Sequence, residues 1–276
     1  MKINAQILDD AIASMNEPGA DLQYAKALYE GDRTNKNLLS YWFPKIENVK
    51  GLKVPKTVTI DVPVDIFAAI VNDEIGKNLD QITEFVKTEI APKITSHVMF
   101  IKNGCFSNKF DFRHSITNRE RILDDFLAIQ YASACLGTGG ISEINLREVI
   151  PHNPAETAAI YGGMPLRTEI RVFYDFDERK ILYSANYWDY DYVRPNLHER
   201  SDKIIFDACK DEIQNGYEQN REAAESAVNE AMRDVELTGR WSVDILIDEK
   251  GGLWLIDMAV AERSAYWDKS KADANK

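Results

Sequence analysis

The sequence contains little cysteine. Its 276 residues include three cysteines, Cys105, Cys135 and Cys209, which are odd in number and far apart. A disulfide framework needs paired cysteines, and a metal site needs short, fixed spacings between its ligands, so neither is predicted. We expect these cysteines to be packing residues of a protein that folds in a reducing compartment.

Long apolar runs are also missing. No stretch approaches the roughly 20 apolar residues that span a bilayer, and the first residues, MKINAQILDD, lack the apolar core of a signal peptide. These absences predict a soluble cytoplasmic protein.

Positive charge is scarce as well. Lys and Arg together number 33 against 45 Asp and Glu, which gives a formal net charge of -12. Because nucleic acids and anionic membranes bind basic surfaces, this balance argues against both as partners. A local basic pocket for a small phosphate ligand remains compatible with it.

Several catalytic signatures are absent. The chain has neither the GxxxxGK pattern of a P-loop nor the GxGxxG pattern of a dinucleotide-binding fold. No Ser-His-Asp or Cys-His arrangement is recognisable, and the four histidines show no ligand spacing. Neither a protein nucleophile nor a Rossmann-type cofactor site is therefore predicted.

The segments that are present combine strand and helix patterns. β-Branched residues over 52–63 are typical of a strand, and apolar residues recur at helical spacing over 73–90. Segments 166–176 and 180–190 flank a polar turn, as do the two halves of 241–257. This order predicts an α+β fold with mainly antiparallel hairpins backed by helices.

Two acids stand among apolar residues in the last hairpin, WSVDILIDEKGGLWLID. With residues 249–252 as the loop, the pairs across the strands are Asp248 with Leu253, Leu246 with Leu255, and Asp244 with Asp257. Directly opposed side chains lie about 5 Å apart, where two like charges repel by about 3 kcal/mol. Mg²⁺ relieves such repulsion, since it is held by one or two carboxylates plus substrate phosphates. The alternative is another register or a solvated face.

A phosphate site is indicated after the strand HVMFIK. Lys102 ends this strand, and small and polar residues, among them Ser107, follow it as far as Lys109. Small residues let backbone N–H groups approach an anion, and the lysines add positive charge. The alternative is a strand-end lysine that reaches solvent.

An arginine hairpin, RTEIRVFYDFDERKILYSANYWD, carries the third candidate. A loop at residues 177–180 places Arg171 opposite Asn186, and Glu169 opposite Trp188. Arginine on an aromatic-rich hairpin suits a phosphate or an acyl phosphate. An Arg–Glu pair at the surface is an equal alternative.

Taken in order, these features resemble the ATP-grasp superfamily. The matching features are the lysine strand with its loop, a later strand ending REVIP, the EIRVF hairpin, and VDILIDEKGGLWLID. The resemblance covers roughly residues 50–260. It implies two α+β lobes with mainly antiparallel sheets that hold ATP between them, and Mg²⁺ on acids of the last hairpin.

The resemblance also implies a domain organisation. An N-terminal region over residues 1–95 precedes an ATP-grasp domain over residues 96–276. Within that domain, a lid lobe spans about 96–150 and a C-terminal lobe about 151–268.

Roles follow at the matching positions. Lys102 would contact the α and β phosphates, loop 103–109 would be a mobile lid, and Arg171 would meet the γ-phosphate or the acyl phosphate. The implied catalytic residues are Arg171 and Lys102, and the implied metal ligands are Asp244 and Asp257. The implied nucleotide-binding residues are Lys102, Ser107, Lys109, Glu148, Val149, Ile150, Arg171 and Asn186, with Glu148 to Ile150 as the hinge beside adenine.

The chain departs from the family pattern at one sensitive place. Ala259 stands where the family usually has an asparagine ligand, so the second Mg²⁺ is expected to be weaker, or Glu262 to replace that ligand. The family's other lysine has two candidates, Lys56 and Lys93.

The implied activity is an ATP- and Mg²⁺-dependent ligase that joins a carboxylate to an amine through an acyl phosphate. Its substrates would be small-molecule or peptide carboxylates and amines, taken up at a polar and aromatic rim near the hairpins. The alternatives are a kinase-like phosphotransferase on the same fold and a non-catalytic ATP-binding or interaction protein, which Ala259 favours.

Overall fold

The computed structural model describes residues 20–274, so residues 1–19 of the predicted N-terminal region lie outside the described part of the chain. The helices are α1 (Ala20–Arg33), α2 (Leu39–Ile46), α3 (Val64–Val71), α4 (Leu79–Phe85), α5 (Ile122–Leu136), α6 (Tyr190–Val193), α7 (Arg200–Ala208), α8 (Lys210–Ala231) and α9 (Lys269–Ala274). Short 3-10 or π turns lie at Ile75–Asn78, Val86–Ile90, Ala91–Lys93, Lys109–His114, Arg194–Asn196 and Ala261–Arg263.

The strands form antiparallel sheets. They are β1 (Thr57–Asp61), β2 (Met99–Asn103), β3 (Ile116–Thr117), β4 (Glu143–Arg147), β5 (Ala159–Ile160), β6 (Met164–Pro165), β7 (Glu169–Asp175), β8 (Lys180–Asn186), β9 (Arg240–Ile247) and β10 (Leu253–Val260). One sheet has the order β1-β4-β2-β3, another the order β10-β9-β7-β8, and β5 pairs with β6.

The first sheet is apolar on one face and polar on the other. Ile144 and Leu146 of β4 are buried in a core that also contains Phe126 of α5 and Ile66 of α3. Because side chains alternate along a strand, the other face of β4 presents Arg147 and its polar neighbours. This polar face is turned toward the second sheet.

The second sheet divides its faces in the same way. Val172 of β7 and Val243 of β9 pack against Val228 of α8 and Trp42 of α2 in a buried core. The opposite face carries the charged residues of the last hairpin and faces the first sheet. The predicted fold, two α+β lobes with mainly antiparallel sheets, is confirmed.

The region assigned to residues 1–95 contributes to both cores. Strand β1 joins the first sheet, where Thr57 pairs with Arg147. Helix α2 instead packs into the second core through Trp42 and Ile46. Among the described residues, those before residue 95 therefore form no hydrophobic core of their own, because they share both cores with later parts of the chain. None of the described helices is both long and apolar enough to cross a membrane.

The last hairpin brings the two acids together by an unexpected route. Its turn spans residues 248–252, one residue more than predicted, so that Ile247 pairs with Leu253 and Ile245 with Leu255. A β-bulge between Leu255 and Asp257 then shifts the register by one residue, and Asp244 lies opposite Asp257. The predicted acid pair is confirmed, whereas the predicted pairing of the residues nearer the turn is wrong.

The arginine hairpin has a bulge with the opposite consequence. Asp175 pairs with Lys180 around the turn, and the register shifts between Phe173 and Tyr174. The turn at residues 176–179 lies one residue before the predicted loop at 177–180, and together with the bulge it pairs Arg171 with Ala185, not with Asn186. The predicted pairing of Glu169 with Trp188 is also wrong, since the N–H of Tyr187 donates to the carbonyl of Glu169 at 3.0 Å.

Candidate functional site

A cavity of about 530 Å³ lies between the polar faces of the two sheets. Strands β2 and β4 contribute its first wall, and strands β7, β9 and β10 contribute the second. The predicted site residues that line it are Lys102, Ser107, Lys109, Glu148, Val149, Ile150, Asp244 and Asp257. The fold therefore gathers residues that are up to 155 positions apart in the sequence.

The charge of this cavity opposes that of the whole chain. Its lining acids are Glu148, Glu169, Asp244 and Asp257, and its lining cations are Lys102, Lys109, Arg113, Arg121, Arg147 and Arg167. The chain as a whole carries a formal net charge of -12. An excess of cations facing a cleft in an acidic protein fits a polyanionic ligand, because cations focused in a low-dielectric cleft raise the local concentration of anions.

Each acid of the last hairpin faces a cation. Arg171 donates twice to Asp244, at 2.8 Å from Nε and 2.7 Å from Nη2. Lys102 Nζ donates to both carboxylate oxygens of Asp257, at 3.0 and 3.1 Å. The two carboxylates differ in exposure, since the side chain of Asp244 is 5% exposed and that of Asp257 is 41% exposed. Asp257 is thus the acid that a ligand can reach.

This donor set fits a single divalent cation shared with a phosphate. Within residues 20–274, no group of three or more His, Cys, Asp or Glu side chains is arranged to hold a metal ion. Asp257 offers an accessible carboxylate, and Asp244 lies directly across from it. Mg²⁺ commonly binds through one or two carboxylates, with phosphate oxygens and water completing its shell.

The position of the family's asparagine holds no metal-binding side chain. Ala259 pairs with Ser242, two positions along the strands from the acid pair. The Oγ of Ser242 is 2.7 Å from the Oγ of Ser264. Glu262 is exposed and lines neither cavity described here, so the structure does not bring it to the acids as a replacement. Lys56 and Lys93 are also absent from the cavity lining.

Two titratable groups beside the acid pair have shifted pKa values. Burial, together with the nearby charge of Asp244, raises the pKa of Glu169 from 4.5 to about 8. Desolvation in the cleft lowers the pKa of Lys109. Lys109 Nζ donates to the Oη of Tyr187 at 2.6 Å. A Glu169 that is protonated near neutral pH increases the net positive charge of the cavity.

One end of the cavity is apolar. Phe100 of β2 lies there, and Leu246 and Ile256 extend this surface from the second sheet. The segment 148–150 follows β4 at the same end, and Arg167 Nη1 donates to the carbonyl of Ile150 at 3.0 Å. Among residues 20–274, no partner binds the backbone N–H or C=O of Val149. The backbone of Val149 therefore offers one donor and one acceptor to a ligand in this cavity.

Sequence reasoning missed all four arginines that line this cavity, Arg113, Arg121, Arg147 and Arg167. Arg147 is buried, and its Nη1 donates to the carbonyl of Ile256 across the cleft. Burial lowers the pKa of Arg147 to about 10. Within the described part of the chain, the Nη2 atoms of Arg147 and Arg167 are buried without a hydrogen-bond partner. The alternation of polar and apolar residues in EINLR was the signal that could have placed Arg147 on the cleft face.

Asn186 is the predicted site residue that the structure moves elsewhere. The one-residue shift in the arginine hairpin pairs it with the buried Ile170. Its Nδ2 donates to Gln214 of α8 at 3.3 Å, on the face of the sheet away from the cleft. Its predicted role in nucleotide binding is therefore wrong, and Tyr187 occupies the cleft in its place.

A second cavity adjoins the first. Its volume is about 1080 Å³, and both cavities are lined by Lys109 and Tyr187. Arg171 lines the second cavity, whereas its partner Asp244 lines the first. Six of the 18 residues that line the second cavity are aromatic: Phe110, Tyr161, Tyr187, Trp188, Tyr192 and Tyr266. The chain as a whole is 10% aromatic.

No protein-family model and no curated protein matches the chain. Solved structures do match it. The biotin carboxylase of Campylobacter jejuni is 11% identical with a TM-score of 0.38, and the match covers 78% of this chain and 45% of that one. The ATP-grasp ligase PsnB is 9% identical with a TM-score of 0.34, covering 87% of this chain and 60% of that one.

A third match is macrocyclase MdnC of Microcystis aeruginosa MRC, which is 12% identical with a TM-score of 0.32, covering 94% of this chain and 61% of that one. The chain thus spans about half to three-fifths of the length of these structures, whose shares are 45%, 60% and 61%. The two facing antiparallel sheets carry the predicted motifs in the predicted order along the chain.

Proposed function

We propose that the chain is an ATP- and Mg²⁺-dependent ligase that joins a carboxylate to an amine. The observation that carries this proposal is the acid pair of Asp244 and Asp257 in a cavity whose other charged residues are mainly cations. A site with both carboxylates and a surplus of lysine and arginine suits a metal-bound polyphosphate, because the carboxylates bind the metal and the cations bind the phosphates. ATP and Mg²⁺ are accordingly the proposed cofactors.

The cations of the first cavity would neutralise the phosphates. Lys102 lies 3.0 Å from Asp257, so it would contact a phosphate beside the metal. Lys109 and Arg147 reach the cavity from the loop after β2 and from β4. Fixed charges of this kind stabilise the charge that develops during phosphoryl transfer, for which no protein nucleophile is required. The proposed catalytic residues remain Lys102 and Arg171.

Asp257 would hold Mg²⁺, with Asp244 as the second carboxylate. When bound, Mg²⁺ would supply positive charge that neutralises the phosphates. Val149 would bind the base through its backbone N–H and C=O, while Phe100 and Leu246 would pack against the two faces of the ring.

The second cavity would hold the acceptor. Arg171 and Lys109 lie where the two cavities meet and would orient a carboxylate toward the terminal phosphate. A carboxylate oxygen then attacks the γ-phosphorus as the bond to ADP breaks. The amine nitrogen next attacks the acyl carbon, loses a proton and displaces phosphate.

A second function, ATP binding without catalysis, is favoured by Ala259. A side chain without oxygen or nitrogen at this position removes one metal ligand, and Ser242 and Ser264 bond to each other beside it. In that case ATP would bind without turnover. A kinase-like transfer to a hydroxyl is the third candidate, which a phosphorylated product would reveal.

The test is the fate of oxygen during turnover. The protein is incubated with ATP, Mg²⁺ and a mixture of amino acids and glutamate-containing peptides whose carboxylates carry ¹⁸O. A ligase transfers one ¹⁸O atom from the carboxylate to the released phosphate, and Asp257→Asn abolishes this transfer. Label that stays in the acceptor, accompanied by a phosphorylated hydroxyl, contradicts the ligase. ATP binding without turnover, in the parent and in Ala259→Asn, favours the non-catalytic function.

A further inference from the structure

We infer that the acceptor carboxylate belongs to a polypeptide segment, in which aromatic and basic residues flank the reacting carboxylate. This inference rests on the proposed function, because it names the substrate class of the second cavity. It goes beyond that function in excluding a free amino acid as the acceptor.

The size of the second cavity supports a polypeptide. Pockets for small molecules usually enclose about 300–1,000 Å³. At about 1080 Å³, the second cavity lies slightly above that range and is about twice as large as the first cavity, at about 530 Å³. A free amino acid would leave most of this space to water.

The rim of the second cavity has the composition of a binding surface for protein. Phe110 is 60% exposed and Tyr192 is 50% exposed. Each packs against another ring, Phe110 edge-to-face on Tyr161 at 5.3 Å and Tyr192 at a tilt on Tyr266 at 4.5 Å between ring centroids. Rigid aromatic side chains at the surface are enriched at protein interfaces, because they bury a large area at low entropic cost.

The floor of the same cavity selects a carboxylate. Arg171 and Lys109 lie there, next to the nucleotide cavity. The guanidinium of Arg171 stacks over the ring of Tyr187 at 4.9 Å, and Lys109 donates to the Oη of that ring. A carboxylate at this floor would reach the phosphates, whereas flanking residues would lie along the aromatic rim.

The charge of the rim favours basic flanking residues. The acids that line the cavity are Asp111, Glu199 and Asp202. Asp111 accepts from Nε of Arg113 at 2.7 Å and Asp202 from the N–H of Tyr161 at 2.9 Å, whereas the exposed Glu199 forms no ion pair within residues 20–274. Tyrosine rings attract cations through their π-faces. With a net charge of -12 on the chain, a basic segment is also drawn to this protein at long range.

The experiment uses a library of acetylated and amidated nonapeptides with a central glutamate and randomised flanks. The parent protein, Phe110→Ala, Tyr192→Ala and the control Tyr24→Ala select peptides, with and without ATP and Mg²⁺. Tyr24 is the matched control because it is 61% exposed and lines neither cavity. The best peptide is then labelled, and its dissociation constant is compared with those of a serine-flanked peptide and of free glutamate.

The expected result is enrichment of aromatic and basic residues beside the glutamate, and binding at least about tenfold tighter than that of the serine-flanked peptide, a ratio equal to about 1.4 kcal/mol. Phe110→Ala and Tyr192→Ala should lose this preference, and Tyr24→Ala should keep it. An unenriched library, equal binding of free glutamate, or a preference retained in both rim variants would overturn the inference. ATP binding, measured in parallel by thermal shift, reports separately on the proposed function and on the folding of the variants.

Discussion

The two adjoining cavities differ in what lines them. Cations outnumber acids in the first cavity, and aromatic rings make up one third of the lining of the second. Cationic side chains bind a compact anion through charge-assisted hydrogen bonds, whereas aromatic side chains bind an extended partner by burying a large contact area. This difference supports the proposal that the cleft between the lobes is divided between a phosphate-bearing ligand and a larger acceptor.

Two contacts form the border between these cavities. Arg171, which lines the second cavity, forms an ion pair with Asp244, which lines the first. Lys109 donates a hydrogen bond to Tyr187, and each of these two residues lines both cavities. Substitutions at this border should affect both cavities, and substitutions away from it should affect one.

The largest expected effect comes from Asp244→Ala. It leaves the largely buried guanidinium of Arg171 without its carboxylate, which costs about 3–5 kcal/mol of unfolding free energy. Urea unfolding measures the loss. The double variant Asp244→Leu with Arg171→Met should recover most of it, and Asp207→Ala, which breaks an exposed pair with Arg194, should cost much less. A small loss in Asp244→Ala would show that the border pair is solvated.

Lys102→Met should affect the first cavity alone. Removal of this buried cation, whose side chain is 3% exposed, should weaken ATP binding by about 1.5–3 kcal/mol, the value of a hydrogen bond to a charged group. Calorimetric titration with ATP measures the change, and Lys77→Met serves as an exposed control. Equal loss of ATP and peptide binding would contradict the division into two cavities.

Glu169→Gln should change the pH dependence of stability. Because the pKa of Glu169 rises from 4.5 to about 8 on folding, its proton is bound more tightly in the folded state. Its contribution to stability is therefore complete below pH 4.5 and falls as the pH rises toward 8. The parent should lose stability relative to Glu169→Gln by up to about 1.4 kcal/mol per pH unit in this window. Urea unfolding of both proteins at several pH values in metal-free buffer measures this loss. Parallel changes of the unfolding free energy with pH in the two proteins would contradict the prediction.

Tyr187→Phe should have the smallest effect. It removes the oxygen that accepts from Lys109 at 2.6 Å, and so costs about 1 kcal/mol of unfolding free energy. Since Lys109 lines both cavities, the affinities for ATP and for the selected peptide should both decrease slightly. A decrease in affinity for only one of the two ligands would show that Lys109 acts in one cavity alone and would contradict the prediction. Tyr24→Phe is the control for loss of an exposed hydroxyl.

The two hairpins show how much of the site was predictable. Period-two alternation placed Asp244 and Asp257 on one face, and they are indeed paired, but a longer turn and a bulge cancelled each other to produce that pair. In the other hairpin, the earlier turn and a bulge beside Tyr174 did not cancel fully, so Asn186 left the cleft and Tyr187 entered it. Bulges depend on local backbone packing, and no residue pattern in this sequence predicted their positions.

The general architecture could be predicted from the sequence for a different reason. Apolar periodicity identified several of the strands and helices that form both cores, and the resemblance to the ATP-grasp superfamily implied two lobes. Arg147 was not identified, because its burial depends on β1 and β2 packing on either side of β4. The placement of β1 in the first sheet and α2 in the second core is likewise a tertiary outcome, which local pattern does not encode.

The most direct test of the account is thermal denaturation of the parent and of Asp257→Asn with ATP, with and without Mg²⁺. Ligand at 100 times its dissociation constant adds about 2.7 kcal/mol to stability, a shift that is readily measured. ATP should stabilise the parent more strongly with Mg²⁺ than without it, and Asp257→Asn should lose this Mg²⁺-dependent part. Absence of stabilisation by ATP in the parent, or equal dependence on Mg²⁺ in both proteins, would contradict it.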